Sequence, residues 1–174
     1  MKYPNLEKLV DIIAVLRSEN GCEWDREQTH KSLRPNMLEE AYEAVDAIDE
    51  GDISNLREEL GDVLLQVVLH AQIAKDDGEF DIEDVAKELS DKLIHRHPHV
   101  FGNTEVHSTQ EILDNWDKLK KEEKTYRKSV LDGISKSQSA LMSAQKISKK
   151  VVKVGFEWDC VDSLKNCIQS EYKE

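Results

Sequence analysis

The sequence is short of the residues that make turns, disulfides and positively charged surfaces. Its 174 residues include three prolines, seven glycines and three cysteines, and 24 Lys and Arg stand against 36 Asp and Glu. Few prolines and glycines favour helix over sheet. The cysteines, Cys22, Cys160 and Cys167, are odd in number and lack Cys-x-x-Cys spacing. They indicate reduced thiols and a cytoplasmic protein rather than a disulfide framework or a zinc site.

The chain also lacks a long apolar segment and a basic body. Its longest largely apolar run, residues 63–69, stops at His70, which predicts no membrane span, and the N-terminus has no signal-peptide core. Residues 1–116 carry 11 basic and 27 acidic side chains, whereas residues 117–153 carry 11 and 4. Duplex nucleic acid is therefore an unlikely partner for the acidic part, because binding to it depends on neutralising phosphates.

Apolar residues recur at helical spacing along most of the chain, which predicts an all-α protein. Capping-box spacing predicts a short helical turn beginning at Asp25 (with Gln28) and a helix beginning at Ser108 (with Glu111). No strand pattern is present. The predicted longer helices cover about residues 5–19, 35–50, 54–75, 81–97, 108–119 and 140–152.

Two of these helices are predicted to form an antiparallel hairpin around Gly51, because only a few residues join them. Glu43 and Glu59 lie eight positions before and after Gly51, and Glu40 and Asp62 lie eleven positions before and after it. Each helix therefore offers two carboxylates at i, i+3 spacing on one face, at matching heights.

Four carboxylates meeting between helices need compensation, because like charges at short range raise one another's pKa. No facing Lys or Arg supplies it, and an all-oxygen donor set favours Mg²⁺, with Mn²⁺ as the alternative. Magnesium commonly bridges carboxylates to phosphates, which indicates a phosphorylated substrate. The competing interpretation is an ordinary solvated acidic face, since about a fifth of the residues are acidic.

The same residues carry a resemblance to the MazG family of nucleoside triphosphate pyrophosphohydrolases. The family motif Glu-Glu-x-x-Glu, a spacer, then Glu-x-x-Asp reads EEAYE at 39–43 and EELGD at 58–62. Further matches are GCEWDREQTH at 21–30, RHPHVFG at 96–102 and VGFEWD at 154–159. The resemblance covers nearly the whole chain.

The resemblance implies an all-α fold, an intertwined homodimer and Mg²⁺-dependent hydrolysis of a nucleoside triphosphate to the monophosphate and pyrophosphate. By position it makes Glu40, Glu43, Glu59 and Asp62 the metal ligands. Glu39 and Glu58 are the candidates for an outer ligand or for positioning water. The implied substrate contacts are Lys92, Arg96, Trp116, Lys120 and Trp24.

Structural interpretations compete for several of these residues. Trp116 lies on an apolar stripe typical of a core, and Lys92 and Arg96 could cap the end of a helix. Trp24, together with Asp25 and Gln28, could contact the base or belong to a capped loop with a buried tryptophan. The three histidines that alternate around Pro98 are interpreted as a structural loop. They are His95, His97 and His99.

The resemblance has departures that bear on the organisation of the chain. Glu23 replaces the usual proline of the Cys-Pro-Trp-Asp motif, and the prolines usual after LDGI are missing. FEWD at 156–159 echoes CEWD at 22–25, as expected for a second repeat. We therefore expect a catalytic and metal-binding domain at 1–128, a linker and sixth helix at 129–153, and the stub of a second repeat at 154–174. The alternative functions are a non-catalytic dimerisation or nucleotide-sensing module and a helical protein-interaction domain that uses the basic segment.

Overall fold

The computed structural model describes residues 3–173, which form nine α-helices and no strand. The prediction of an all-α chain is confirmed. None of the helices in these residues is both long and apolar enough to cross a membrane. The helices are α1 Pro4–Leu16, α2 Glu23–Glu27, α3 Arg34–Glu50, α4 Ile53–Asp76, α5 Ile82–Arg96, α6 Pro98–Phe101, α7 Thr109–Glu123, α8 Ala140–Val152 and α9 Val161–Glu171.

The chain separates into two compact units, with the division after Asn103. In the first unit α4 packs along α3 and also contacts α1 and α5. An apolar core lies where α1 and the segment before α3 meet the second half of α4. Its buried members are Ile13, Leu33, Val68, Leu69 and Ile73.

The hairpin of α3 and α4 owes its sharp turn to Gly51 and Asp52. Gly51 has φ +72°, a left-handed conformation that favours glycine, and it ends α3. The Asp52 carboxylate accepts hydrogen bonds from the backbone N–H groups of Ser54 and Asn55, at 2.9 and 3.0 Å, and so caps α4. Two residues therefore reverse the chain, as the sequence predicts.

The predicted helix boundaries differ from the observed ones mainly at short elements. The first helix ends at Leu16 rather than near residue 19. The short helix α2 begins at Glu23, so Asp25 lies inside it and does not cap it. The segment around Pro98 was expected to be a loop, but it continues from α5 into the single turn α6. Such short elements depend on tertiary contacts more than on local periodicity.

The cap of α7 is half of the predicted capping box. The Ser108 hydroxyl accepts a hydrogen bond from the Glu111 N–H at 3.2 Å. The Glu111 carboxylate instead accepts from the N–H of His107, one residue before the cap, at 2.7 Å. The helix nevertheless begins where the spacing predicts.

The second unit contains α7, α8 and α9, and polar contacts hold its elements together. The Lys153 ammonium on the end of α8 pairs with Asp117 on α7. The Lys150 ammonium donates to the backbone carbonyls of Val130 and Asp132 at 2.7 and 3.0 Å, which fastens the preceding loop to α8. Helix α9, which the sequence analysis did not predict, follows the FEWD echo and is capped by Cys160.

Candidate metal and nucleotide site

The hairpin brings carboxylates from α3 and α4 together. Glu40 and Glu43 on α3 and Glu59 on α4 each offer an oxygen, and the three oxygens lie within 4.8 Å of one another. Opposite ligands of Mg²⁺ lie about 4.2 Å apart, since the metal–oxygen distance is about 2.1 Å. The three oxygens therefore fit the coordination sphere of one small divalent cation after minor side-chain adjustment.

Asp62 adjoins this group without being one of the three. It is half-buried on α4, and its charge acts on both Glu40 and Glu59. One turn of helix separates Glu59 from Asp62, so both side chains lie on the face of α4 that meets α3. Asp62 therefore stands at the edge of the cluster, where it would complete the donor set of a bound ion.

The electrostatics of the cluster are those of an uncompensated anionic site. Partial burial, followed by the charges of Asp62, Glu43, Glu39 and Glu59, raises the pKa of Glu40. Partial burial likewise raises the pKa of Glu59, and the charges of Glu43, Asp62 and Glu58 add to it. The cluster therefore favours a bound proton or a bound cation, and a divalent cation neutralises more charge.

Glu39 and Glu58 flank the cluster on its exposed side. Both side chains are exposed, and each lies one residue before a clustered carboxylate. Their charges raise the pKa values of Glu40 and Glu59 respectively. They are close enough to influence the site, and they keep contact with water.

Trp24 is 57% exposed, which contradicts the interpretation as a buried tryptophan in a capped loop. The side-chain amide of Gln28 donates to the Trp24 carbonyl at 2.8 Å, and its carbonyl accepts from the hydroxyl of Ser32 at 2.7 Å. Gln28 is therefore engaged within its own segment, whereas the indole of Trp24 presents an aromatic surface to solvent.

Lys92 and Arg96 lie on α5 in the first unit and are half-buried. The Lys92 ammonium lies 3.8 Å from the carboxylate of Glu88, one turn earlier on the same helix. Arg96 is the last residue of α5, a position where a basic side chain also stabilises the helix terminus. Both the substrate-binding and the capping interpretations fit these positions.

Trp116 and Lys120 lie on α7 in the second unit and contact each other. The Lys120 ammonium lies 3.8 Å from the centroid of the Trp116 ring, a cation–π contact. Trp116 is half-buried, and its indole Nε1 atom is buried, so both the core and the base-stacking interpretations fit its position. The pair combines a positive charge with an aromatic face on one side of the helix.

The contacts that hold the segment containing Trp24 were not predicted from the sequence. The side chain of Arg17 is 8% exposed, and its Nε lies 2.7 Å from the carboxylate of Asp76 on α4. The same guanidinium donates to the backbone carbonyls of Asp25 and Gln28. Arg17 thereby ties the end of α2 to α1 and α4. Its only signal in the sequence is one basic residue at the end of an apolar helix.

A second missed feature is a pair of histidines. His30 lies in the segment before α3, and His70 lies on α4. Their Nδ1 atoms are 2.7 Å apart, and their rings stack with the centroids 5.0 Å apart. Burial, followed by the charge of His30, lowers the pKa of His70. A hydrogen bond between two Nδ1 atoms needs at least one neutral ring to accept it. Forty residues separate the two histidines, so no local pattern could reveal the pair.

Comparisons with known proteins match the chain to one family. Residues 28–101 match the MazG nucleotide pyrophosphohydrolase domain, and this range contains the whole carboxylate hairpin. A mazG-related protein from Thermotoga maritima, known from its crystal structure, is 31% identical with a TM-score of 0.56, covering 66% of this chain and 98% of that one. The chain belongs to the MazG family.

Curated proteins resemble the chain over nearly its full length. The nucleoside triphosphate pyrophosphohydrolase/pyrophosphatase MazG of Thermotoga maritima is 48% identical over 169 residues. The nucleoside triphosphate pyrophosphohydrolase of Escherichia coli K12 is 44% identical over 172 residues. Each alignment covers 97% of this chain and 65% of the relative, so the chain spans about two thirds of their length.

Proposed function

We propose that this MazG chain hydrolyses nucleoside triphosphates, ribo- or deoxy-, to the nucleoside monophosphate and pyrophosphate, with Mg²⁺ as cofactor. The observation that carries the proposal is the set of three carboxylate oxygens, from two helices, within 4.8 Å. An anionic cluster can take a polyanionic substrate only if a cation mediates. The names of the curated relatives give the same reaction class.

Each carboxylate has a proposed role in this reaction. Glu40, Glu43, Glu59 and Asp62 would hold the cation, Mg²⁺ or alternatively Mn²⁺. When bound, the cation orients the triphosphate and screens its charge. Glu39 or Glu58 would hold the attacking water in line with a phosphorus atom and take up its proton. The exposure of both side chains leaves room for water there.

The basic and aromatic residues are proposed to bind the rest of the substrate. Lys92 and Arg96 on α5 and Lys120 on α7 offer positive charge to phosphates. Trp24 and Trp116 offer aromatic faces to the base. These assignments rest on the family resemblance and on the partial exposure of each side chain.

The decisive experiment measures both products. Each nucleoside triphosphate is incubated with the protein and Mg²⁺, and the monophosphate and pyrophosphate are quantified, with EDTA as the metal-free control. Glu59→Ala is expected to reduce turnover to background while helix content, measured by circular dichroism, stays unchanged. The matched control is Glu50→Ala, an exposed acid at the end of α3 outside the cluster, which should keep full activity. Equal pyrophosphate release by wild type and Glu59→Ala would reject the site.

We also propose that the chain forms a homodimer through the hairpin. Apolar side chains remain exposed along α3 and α4, a surface that a second copy would cover. Ile48→Lys is expected to shift the molecular mass measured by light scattering from dimer to monomer, whereas Leu141→Lys on α8, an exposed apolar residue outside the hairpin, should leave the mass unchanged. The exposed apolar residues on the two helices include Met37, Leu38, Tyr42, Val45, Ile48, Leu60 and Leu64.

The remaining assignments are also part of the proposal. We place the protein in the cytoplasm, in keeping with the free thiols of Cys22, Cys160 and Cys167. Duplex nucleic acid is not a proposed partner, since net charge is −12. We retain a catalytic and metal-binding domain at 1–128, a linker with a helix at 129–153, and part of a second repeat at 154–174.

The alternative function is a nucleotide-sensing or dimerisation module without turnover. It would use the same carboxylates and the same apolar surface. Calorimetry with nucleoside triphosphates and Mg²⁺ separates the two functions, because the alternative predicts binding without release of pyrophosphate. Binding with release supports the hydrolase.

A further inference from the structure

Gln66 lies on the same face of α4 as the carboxylates of the candidate site. It follows Asp62 by four residues and Glu59 by seven, spacings that align side chains along one face of a helix. One helical turn separates it from Asp62, which is about 6 Å at ~1.5 Å per residue. Gln66 therefore lies next to the site, on the side away from the hairpin turn.

The burial of Gln66 is unusual for its chemistry. The residue is 4% exposed, and among residues 3–173 it is the one polar residue that is fully buried. Its Oε1 atom has no hydrogen-bond partner within that part of the chain. Burying an acceptor without a partner destabilises a folded protein, whereas an apolar side chain of similar size would not. A polar residue kept at such a position needs an explanation.

Helix α3 carries an amide at the matching position. Asn36 lies fifteen residues before Gly51, and Gln66 lies fifteen residues after it. Asn36 precedes Glu40 by four residues and Glu43 by seven, the mirror image of the spacing on α4. The hairpin therefore has two layers in its sequence. The carboxylates form the layer nearer Gly51, and one amide on each helix forms a second layer four residues further from Gly51. The half-burial of Asn36 leaves it accessible.

We propose that Gln66 binds the nucleoside part of the substrate whose phosphates lie at the carboxylates, and that Asn36 assists from the opposite helix. This inference rests on the proposed function. The Oε1 of Gln66 accepts a hydrogen bond from an N–H group of the base or a hydroxyl of the sugar. An amide is suited to this because it offers an acceptor and two donors side by side without charge. One helical turn beyond the phosphates is a suitable distance for the nucleoside.

The competing explanation for a buried, unpartnered amide oxygen is a bound water molecule. A water-filled position would make Gln66 a structural residue, and its replacement would leave substrate selection unchanged. The nucleoside role predicts that selection changes and that stability does not fall. The two explanations therefore differ in both activity and stability.

The experiment compares Gln66→Met with Gln72→Met. Both changes are chemically identical and lie on the same helix, but the Gln72 amide donates to Asp76 at 2.7 Å and lies outside the site. For each protein, kcat and KM are measured with the four ribonucleotides and four deoxyribonucleotides, and thermal unfolding is followed without nucleotide. Dissociation constants are measured by calorimetry in the presence of Ca²⁺. Asn36→Ala provides a second variant at a half-buried position.

For Gln66→Met we expect KM to rise about 5–10-fold, the effect of one lost hydrogen bond, with a smaller change in kcat. The differences in KM among nucleotides should shrink. Loss of discrimination among bases assigns the contact to the base, and loss of discrimination between ribose and deoxyribose assigns it to the sugar. The melting temperature should stay equal or rise, because an unpartnered buried acceptor is removed. Gln72→Met should keep its kinetics and melt at a lower temperature.

Three other outcomes separate the role of Gln66 from the proposed hydrolysis. If wild type turns over and Gln66→Met has unchanged KM for every nucleotide, the role of Gln66 is rejected and the proposed function stands. If wild type binds nucleotides without turnover, hydrolysis is rejected and the calorimetric dissociation constants of the variant decide the role of Gln66. If wild type neither binds nor hydrolyses any nucleotide, both proposals are rejected.

Discussion

The two units of the chain differ in the contacts that stabilise each of them internally. In the first unit α4 packs on α1 and α3, and it contributes Val68, Leu69 and Ile73 to an apolar core. Between Thr104 and Lys173 no side chain is fully buried. Contacts in that second unit include helix caps, a cation–π contact, hydrogen bonds from Lys150 to the preceding loop and the ion pair between Lys153 and Asp117.

This difference shows where a carboxylate cluster can be held. Repulsion between like charges disfavours the cluster, and partial burial disfavours the charged carboxylates further because it removes water from them. A rigid support is therefore needed to keep them together. The α3–α4 hairpin has such a support because α4, which presents Glu59 and Asp62, also forms the core with α1, and α3 packs along α4. Exposed ion pairs stabilise little, about 0–1 kcal/mol each. Residues 104–173 contain no fully buried side chain that could provide such a support.

The largest expected effect on stability comes from truncating a core side chain of the first unit. Leu33 is 1% exposed, and Leu33→Ala should lower the free energy of unfolding by about 2–5 kcal/mol, because it loses apolar burial and leaves a cavity. Leu141→Ala in the second unit, where the side chain is 84% exposed, should change it by less than about 0.5 kcal/mol. Urea unfolding measures both. Equal losses would show that the two units do not differ in this way.

The next effect concerns the stabilisation of the hairpin by metal. A ligand at 100 times its dissociation constant stabilises a folded protein by about 2.7 kcal/mol. Mg²⁺ should therefore raise the melting temperature of wild type, whereas Glu59→Gln should lose most of this increase. Without metal the same variant should be as stable as wild type or more stable, since one repelling charge is removed. Glu50→Gln is the control and should respond to Mg²⁺ as wild type does.

The raised pKa values of the clustered carboxylates should make folding stability depend on pH, and bound metal should reverse that dependence. In the folded protein the pKa values of Glu40 and Glu59 are raised, so the folded state binds their protons more tightly than the unfolded state. This contribution to stability is present at low pH and is lost as pH rises through the folded pKa values. With Mg²⁺ stability should instead increase over the same range, because protons compete with the cation. Melting curves at several pH values, with and without Mg²⁺, measure both trends. The same pH trend with and without the cation would contradict the metal site.

A smaller effect is expected from the histidine pair. Burial lowers the pKa of His70 in the folded state, so the unfolded chain takes up this proton first as pH falls below about 6.5. The stability from the neutral ring is present above that pH and is lost as pH falls towards the folded pKa. Wild type should therefore lose more stability between pH 7.5 and pH 5.5 than His70→Gln does. His107→Gln, at an exposed position, should behave as wild type. Identical pH profiles for all three proteins would rule out this contribution.

The smallest expected effect lies in the second unit. The hydrogen bond with Lys153 lowers the pKa of Asp117. Asp117→Asn removes this carboxylate and should lower the free energy of unfolding by no more than about 1 kcal/mol. The loss should shrink at high salt, since exposed charges are screened. Asp162→Asn removes the more exposed ion pair with Lys165 and should cost less still. A salt-independent loss of several kcal/mol at Asp117 would contradict this account.

Much of the helical structure was predictable because its signals are local. Apolar periodicity located α3, α4, α5, α7 and α8 to within a few residues. The short distance around Gly51 predicted the hairpin and therefore the approach of Glu40, Glu43 and Glu59. The catalytic and substrate-binding roles stay predictions. The elements missed, such as α6 and α9, are short or follow segments with weak periodicity.

The sequence by itself determined the helical fold class, the position of the hairpin turn and the matched heights of the acidic pairs, because these depend on spacing along the chain. Only the tertiary structure decided which polar groups meet across the chain. Arg17 reaches Asp76 and the end of α2, His30 meets His70, and Gln66 is buried without a partner for its oxygen. Burial and long-range pairing depend on how whole helices pack, and no local spacing encodes that.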